Sequence, residues 1–186
     1  EPSLLVLPAS LLANWQLELE RFAPALRSRF IHGSQLATQQ IDDLELDPEG
    51  HLRDCDLVLT TYGTLKRRDW LQQRKWRLLV LDEAQHIKNP KSQASKLVRE
   101  LKVRHRLCLT GTPMENHLGE LWSQFAFLMP GFLGTRKRFN DLFRRPIERA
   151  ADPQADRPST ARERLGRRIR PFILRRTKAQ VAVELP

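Results

Sequence analysis

The stretch Leu78-Leu79-Val80-Leu81-Asp82-Glu83-Ala84-Gln85-His86 decides how the rest of the chain is read. A run of branched aliphatics spells a strand buried on both faces, the kind found inside a parallel sheet. Two adjacent carboxylates follow at its C-terminal end, the edge of an open α/β sheet where ligands bind. In nucleotide hydrolysis the first carboxylate of such a pair, here Asp82, holds Mg²⁺ through water. The second, Glu83, orients or deprotonates the attacking water. Taken alone, such a pair more often only solvates a strand end and charges a helix N-terminus; the rest of the chain reverses that balance.

Upstream, Leu4-Leu5-Val6-Leu7-Pro8 reads as a strand stopped by proline. Ser10 is placed to cap a following helix whose apolar face is Leu12, Trp15, Leu19 and Phe22, ending before Pro24. On that face Trp15 reads as core. Arg29 to His32 suits a short strand, residues 35–46 a helix, and Asp47-Pro48-Glu49-Gly50 a loop. Leu57-Val58-Leu59 is a further strand that delivers Thr60-Thr61-Tyr62-Gly63 and a helix carrying Lys66, Arg67 and Arg68.

Downstream, Asn89-Pro90 predicts a helix start, with Ala94, Leu97, Val98 and Leu101 on one face. Leu107-Cys108-Leu109 is the next strand and ends in Thr110-Gly111-Thr112-Pro113. This alternation predicts an α/β fold with a parallel sheet flanked by helices over residues 1–117. From Leu118 the pattern becomes helical. Leu118, Leu121, Trp122, Phe125 and Leu128 share a face, and a short helix follows at Arg136 to Phe143. Residues 150–160 are loop by composition, and a basic helix spans 161–169. Residues 118–186 therefore read as a separate helical, basic portion.

The net charge is +10, and it is unevenly placed. Residues 131–186 hold 15 Lys and Arg against 6 Asp and Glu, a balance of +9, which leaves 17 against 16 for residues 1–130. The basic third calls for an anionic partner such as nucleic acid, or else presents a solvated helical face. Cys55 and Cys108 lie outside any metal-ligand spacing and read as free thiols in a reducing compartment. No apolar run approaches the length of a membrane span.

Three polar clusters fall at strand ends: Thr60-Thr61-Tyr62, Asp82-Glu83 with Gln85, and Thr110-Gly111-Thr112. In a parallel sheet those ends share one edge. Thr110 and Thr112 can hydrogen-bond Gln85 or a phosphate-side water, while Gly111 lets the backbone approach closely. Pro8, Thr61 and Lys88 are placed to lie near a nucleic-acid backbone.

The blocks occur in the order found in the Swi/Snf-type ATPases of helicase superfamily two, and the chain resembles that family along nearly its whole length. Leu-Val-Leu-Pro-Ala-Ser-Leu-Leu-Ala-Asn-Trp (5–15) resembles motif Ia, Leu59-Thr60-Thr61-Tyr62 motif Ib, LDEAQHIKNP (81–90) motif II, and LTGTPMEN (109–116) motif III. Leu121-Trp122 through Pro130-Gly131 resembles the segment that follows. Arg170-Pro171-Phe172-Ile173-Leu174-Arg175-Arg176 resembles the approach to the second lobe. The resemblance implies the first RecA-like lobe of a P-loop NTPase, with a C-terminal helical insertion. It also implies ATP and Mg²⁺ as ligands, and double-stranded DNA and a second RecA-like lobe as partners. Asp82, Glu83 and Gln85 would be catalytic; Thr110, Gly111 and Thr112 would couple the site to the DNA side. Pro8, Thr61, Tyr62, Lys88, Arg167, Arg168 and Arg170 would meet nucleic acid. A non-catalytic nucleic-acid- or protein-binding module and an RNA helicase lobe are the rival readings. The Ile-Lys-Asn and Phe-Ile-Leu-Arg-Arg blocks argue against the RNA helicase. A bacterial cytoplasmic, nucleoid-associated protein is the expected setting.

Gln85 stands where many members of that family carry His. A phosphate loop needs Gly-Lys-Ser/Thr, and none of the eight glycines is followed by Lys, so the chain reads as an internal piece of a longer protein. The isolated chain should accordingly bind MgATP weakly at most and turn none over. Calorimetry and a DNA-stimulated phosphate-release assay check this; micromolar binding would place the nucleotide elsewhere.

Overall fold

Five parallel strands form one sheet in the order β2-β3-β1-β4-β5 in a computed structural model that describes residues 1–111, 118–150 and 160–176. The strands are β1 (Ser3–Leu7), β2 (Ser28–Ile31), β3 (Leu57–Thr61), β4 (Trp76–Leu81) and β5 (Val103–Cys108). The helices are α1 (Leu12–Phe22), α2 (Thr38–Leu46), α3 (Pro48–His51), α4 (Tyr62–Arg67), α5 (Asp69–Gln73), α6 (Gln93–Glu100) and α7 (Leu118–Leu128). They continue with α8 (Arg136–Phe139), α9 (Arg145–Ala150) and α10 (Thr160–Ile169). The chain divides into two compact units, residues 1–133 and 134–186, and α7 belongs to the first.

Alternation along the strands sorts the core into two layers. Leu4 and Val6 join Val58, Leu79 and Leu81 on one side, while Leu5 and Leu7 join Leu59 and Leu12 on the other. β1 and β3 are buried on both faces apart from their first residues. The aliphatic run predicts the same for β4, and there the structure differs. Leu79 and Leu81 are fully buried, but Leu78 and Val80 are only half-buried. On that face Leu5, Leu7, Leu12 and Leu59 form the buried cluster, and Val80 packs against it only in part. Leu107, on β5 opposite Val80, is 44% exposed.

Register fixes where the polar clusters go. Leu7 pairs with Thr61, Val6 with Leu81, and Leu81 with Cys108, so the strands end along a common edge. Pro8, Tyr62, Asp82 and Leu109 each follow a strand there.

Several elements depart from the sequence reading. Ser10 lies inside a 3-10 helix, Ala9–Leu11, and α1 starts at Leu12 with no side-chain cap. Phe22 is 69% exposed under the Arg21 guanidinium, because α1 turns its last residue away from the sheet. α6 starts at Gln93 instead of Pro90. Asn89 Oδ1 accepts from the Lys91 N–H in a turn, and Ser92 is the true cap, accepting from the Ser95 N–H at 3.2 Å. β5 begins at Val103, earlier than its apolar residues suggest, since Arg104 and His105 are exposed ladder positions. α5, which buries Trp70 and Leu71, is too short for periodicity to reveal.

In the second unit the helix predicted at 136–143 runs from Arg136 through a π-helical turn at Asn140–Arg144 and on to Ala150. Phe139 and Phe143 meet with ring centroids 5.6 Å apart, and i,i+4 pairs Asp141–Arg145 and Arg144–Glu148 line the outside. α10 packs against the π-helical turn and buries Ala161 and Leu165, leaving Arg167 and Arg168 exposed, with Arg170 just beyond. The expected loop at 150–160 falls almost wholly outside the described residues.

Trp76 is fully buried at the start of β4, and its indole N–H donates to the Leu71 carbonyl at 2.9 Å. Trp76→Ala should therefore cost about 3–5 kcal/mol in urea unfolding of the chain. A loss under about 1 kcal/mol would mean that the site collapses around the cavity.

Candidate active site

Everything at the C-terminal edge is organised around the peptide that follows β4. Leu81 ends the strand, and the Asp82 N–H still donates to the Val6 carbonyl of β1 at 2.9 Å. The next residue breaks the extended path. Glu83 has φ 49° and ψ 55°, the sole non-glycine residue in the left-handed region among the described residues. Such a conformation costs on the order of 1–3 kcal/mol and persists only where the surroundings enforce it. Here they do. The Glu83 N–H donates to Asp82 Oδ1 at 2.8 Å, and the Ala84 N–H donates to the Leu109 carbonyl beyond β5 at 3.0 Å. Ala84 and Ile87, in the 3-10 helix Ala84–Ile87, are fully buried, and Ser123 of α7 donates to the Ile87 carbonyl at 2.5 Å.

The predicted strand-end clusters meet on this turn. Gln85 Nε2 donates to Glu83 Oε2 at 2.6 Å, and the Thr110 hydroxyl donates to Gln85 Oε1 at 3.1 Å. A side-chain relay thus runs from β5's tip to the second carboxylate. Tyr62, beyond β3, donates its hydroxyl to the Asp82 carbonyl at 3.0 Å and stacks on His86 with centroids 4.9 Å apart. Burial, with the nearby Cys108, Asp82 and Glu83 adding to it, pushes the Tyr62 phenol well above its usual range. Tyr62 therefore stays a neutral donor. Burial likewise pushes the Cys108 thiol up to about 12, which keeps it unreactive beside the site.

Periodicity assigns Trp15 to the core, and its ring does pack beside Leu5, Leu7, Leu12 and Leu59. Its indole N–H also donates to Asp82 Oδ2 at 2.7 Å. A periodic pattern places a residue on a face but carries no information about what a polar ring atom reaches. Thr61 is buried. Its hydroxyl caps α4, accepting from the Thr64 N–H at 3.1 Å and donating to Thr64 Oγ1 at 3.0 Å. Lys88 is exposed and 4.0 Å from Glu120. Pro8 is half-buried at the edge. Gly111 is exposed, and a Cβ there would meet nothing within 4 Å. Thr112 lies outside the described residues. Arg167, Arg168 and Arg170 lie in the second unit.

The donor set suits a hydrated divalent cation. Asp82 and Glu83 are half-buried, their carboxylates are met by neutral donors, and none of the ion pairs among the described residues involves either. Each Asp82 oxygen receives one hydrogen bond, while a carboxylate offers about four acceptor positions. Acceptor capacity remains for the water shell that Mg²⁺ keeps when carboxylates hold it.

A five-stranded parallel sheet flanked by helices, with its polar clusters at the C-terminal edge, is by class an open α/β fold of the RecA-like kind. The model of the SNF2-related domain matches residues 1–186, and the chain belongs to that family. It superposes on the Sulfolobus solfataricus SWI2/SNF2 ATPase core in complex with dsDNA with a TM-score of 0.79 and 42% identity, covering 97% of this chain and 35% of that one. It is 36% identical over 191 residues to the TATA-binding protein-associated factor BTAF1 of Arabidopsis thaliana. It is 41% identical over 189 residues to a putative ATP-dependent helicase/translocase, YwqA, of Bacillus subtilis. All of this chain is covered in both cases, but it spans only 9% of the plant protein's length and 19% of the bacterial one's.

Proposed function

We propose that this chain is the Asp-Glu-bearing lobe of an ATP-driven motor that moves along double-stranded DNA. The observation that carries the reading is the strained turn at Glu83, held by its own Gln85 and by side chains from three separate stretches of sequence, Trp15, Tyr62 and Thr110. A protein using Asp82 and Glu83 only to solvate a strand end has no need to hold them so firmly. The SWI2/SNF2 core bound to dsDNA supports duplex DNA as the track, and the Bacillus relative supports coupling to ATP.

In this reading Asp82 would hold Mg²⁺ through water, and the ion, when bound, would supply positive charge against the phosphates of ATP. Glu83 would orient the attacking water and take its proton as the new O–P bond forms at the γ-phosphorus and the bridging P–O bond to ADP breaks, releasing ADP and phosphate. Gln85 holds the Glu83 carboxylate from the side and passes strain between it and Thr110. Gly111 and Thr112, the latter outside the described residues, are assigned to the coupling between this site and a second RecA-like lobe. Pro8, Tyr62 and Lys88 face the duplex from the strand-end edge, and Thr61 contributes there through the α4 N-terminus that it caps. Arg167, Arg168 and Arg170 add positive charge for the phosphate backbone. We place the protein beside DNA in the bacterial cytoplasm, although its relatives include both bacterial and eukaryotic proteins.

In the full-length protein, Glu83→Gln should abolish ATP hydrolysis while leaving ATP binding within a few-fold. It removes the base but keeps its size and the metal ligand Asp82. Hydrolysis within a few-fold of wild type would sink the assignment. Replacing Arg167, Arg168 and Arg170 with Gln should weaken duplex binding equally for all sequences. Every arginine that neutralises a phosphate should, once replaced, flatten the log–log salt slope by about 0.9. An unchanged slope would assign those arginines to docking between protein surfaces.

A further inference from the structure

Trp15 holds the carboxylate oxygen of Asp82 that the acidic turn does not hold itself. Oδ1 is held by the neighbouring Glu83 N–H, which moves with the turn. Oδ2 is held from α1 by the indole N–H at 2.7 Å, a short distance for such a bond and one expected of a charged acceptor. The ring is fixed independently, since its body packs with Leu5, Leu7, Leu12 and Leu59. Its N–H therefore has a position set by the apolar layer, and the carboxylate adopts the rotamer that meets it. An indole is donor only, so it never competes with the carboxylate for a cation.

We propose that Trp15 is a positioning residue of the nucleotide site. Its indole N–H locks the Asp82 carboxylate in its metal-facing orientation. It also ties that orientation to α1, and so to the Pro8–Leu11 segment at the edge assigned to the duplex. The proposal rests on reading Asp82 as the metal ligand. The connection is short. β1 ends at Leu7, the 3-10 helix Ala9–Leu11 turns the chain, and Trp15 lies in the first turn of α1.

Two measurements test this. On the chain itself, the Trp15 indole ¹⁵N–H resonance is identified by its loss in Trp15→Phe. It should exchange slowly with solvent and move in Asp82→Asn. A resonance that exchanges freely and ignores Asp82→Asn overturns the contact. In the full-length protein, Trp15 is replaced by 3-benzothienylalanine, which keeps the ring's shape but puts sulfur where the N–H was. Trp15→Phe is the second variant should the first fold poorly. The Mg²⁺ concentration for half-maximal DNA-stimulated ATPase should rise about tenfold and kcat should fall about tenfold, the scale of one charge-assisted hydrogen bond. The KM for ATP and the thermal midpoint should stay near wild type, which a merely structural role would not combine with a changed Mg²⁺ requirement. If Glu83→Gln abolishes turnover while the benzothienyl protein keeps wild-type Mg²⁺ dependence and kcat, the positioning role is overturned and the nucleotide site stands. If Glu83→Gln leaves turnover intact, the nucleotide-site reading falls and this proposal with it.

Discussion

The left-handed backbone at Glu83 is the constraint to which the rest of the edge answers. A strand that continued straight past Leu81 would send Asp82 and Glu83 to opposite faces of the sheet. One residue in the left-handed region bends the chain there and keeps both carboxylates at the strand tip. A branchless glycine would adopt that conformation at little cost, but glycine has no carboxylate. The chain instead accepts the strain and surrounds the residue with partners. The Ala84 N–H is caught by Leu109, Ile87 is buried and bonded by Ser123, and the Asp82 carbonyl is held by Tyr62.

Parallel pairing makes this convergence possible. The partners come from Trp15, Tyr62, Gln85 and Thr110, which are far apart in sequence except around the turn itself. In an antiparallel sheet neighbouring strands would deliver their ends to opposite edges. Here each crossover returns the chain to the same side, and the pairing of Leu7 with Thr61 and of Leu81 with Cys108 brings the tips level. The fold's contribution to the site is this alignment, which no single motif contains.

That division explains what the sequence disclosed. Element type and order are legible because Leu4–Leu7, Leu57–Leu59 and Leu78–Leu81 are short apolar runs between turn residues, and the grouping of strand-end clusters follows from parallel topology. Three kinds of feature are not legible. Polar edge positions hide the start of β5, since Arg104 and His105 look like loop. Competing caps hide the start of α6, where both Asn89 and Ser92 are good candidates and only the turn at Lys91 decides. Dual-purpose side chains hide the Asp82 partner. Trp15 satisfies an apolar pattern with the carbon surface of its ring while its nitrogen serves the site. The reverse holds at Thr61, whose hydroxyl looks available in the sequence and is consumed by the α4 cap.

The choice of partners around the acids carries the last step. An indole, an amide and backbone N–H groups fix the carboxylates of Asp82 and Glu83, whereas Lys88, the nearest lysine in sequence, lies by Glu120. A lysine or arginine could hold a carboxylate as firmly, but it would neutralise the charge and weaken the attraction for a cation. Neutral donors set geometry and leave the negative potential in place. Adjacent carboxylates repel each other, and half-burial strengthens that repulsion relative to water. The arrangement is therefore electrostatically incomplete on its own side-chain complement among the described residues. A divalent cation carrying an anionic substrate would complete it, and the proposed Mg²⁺ with a nucleoside triphosphate has that chemistry.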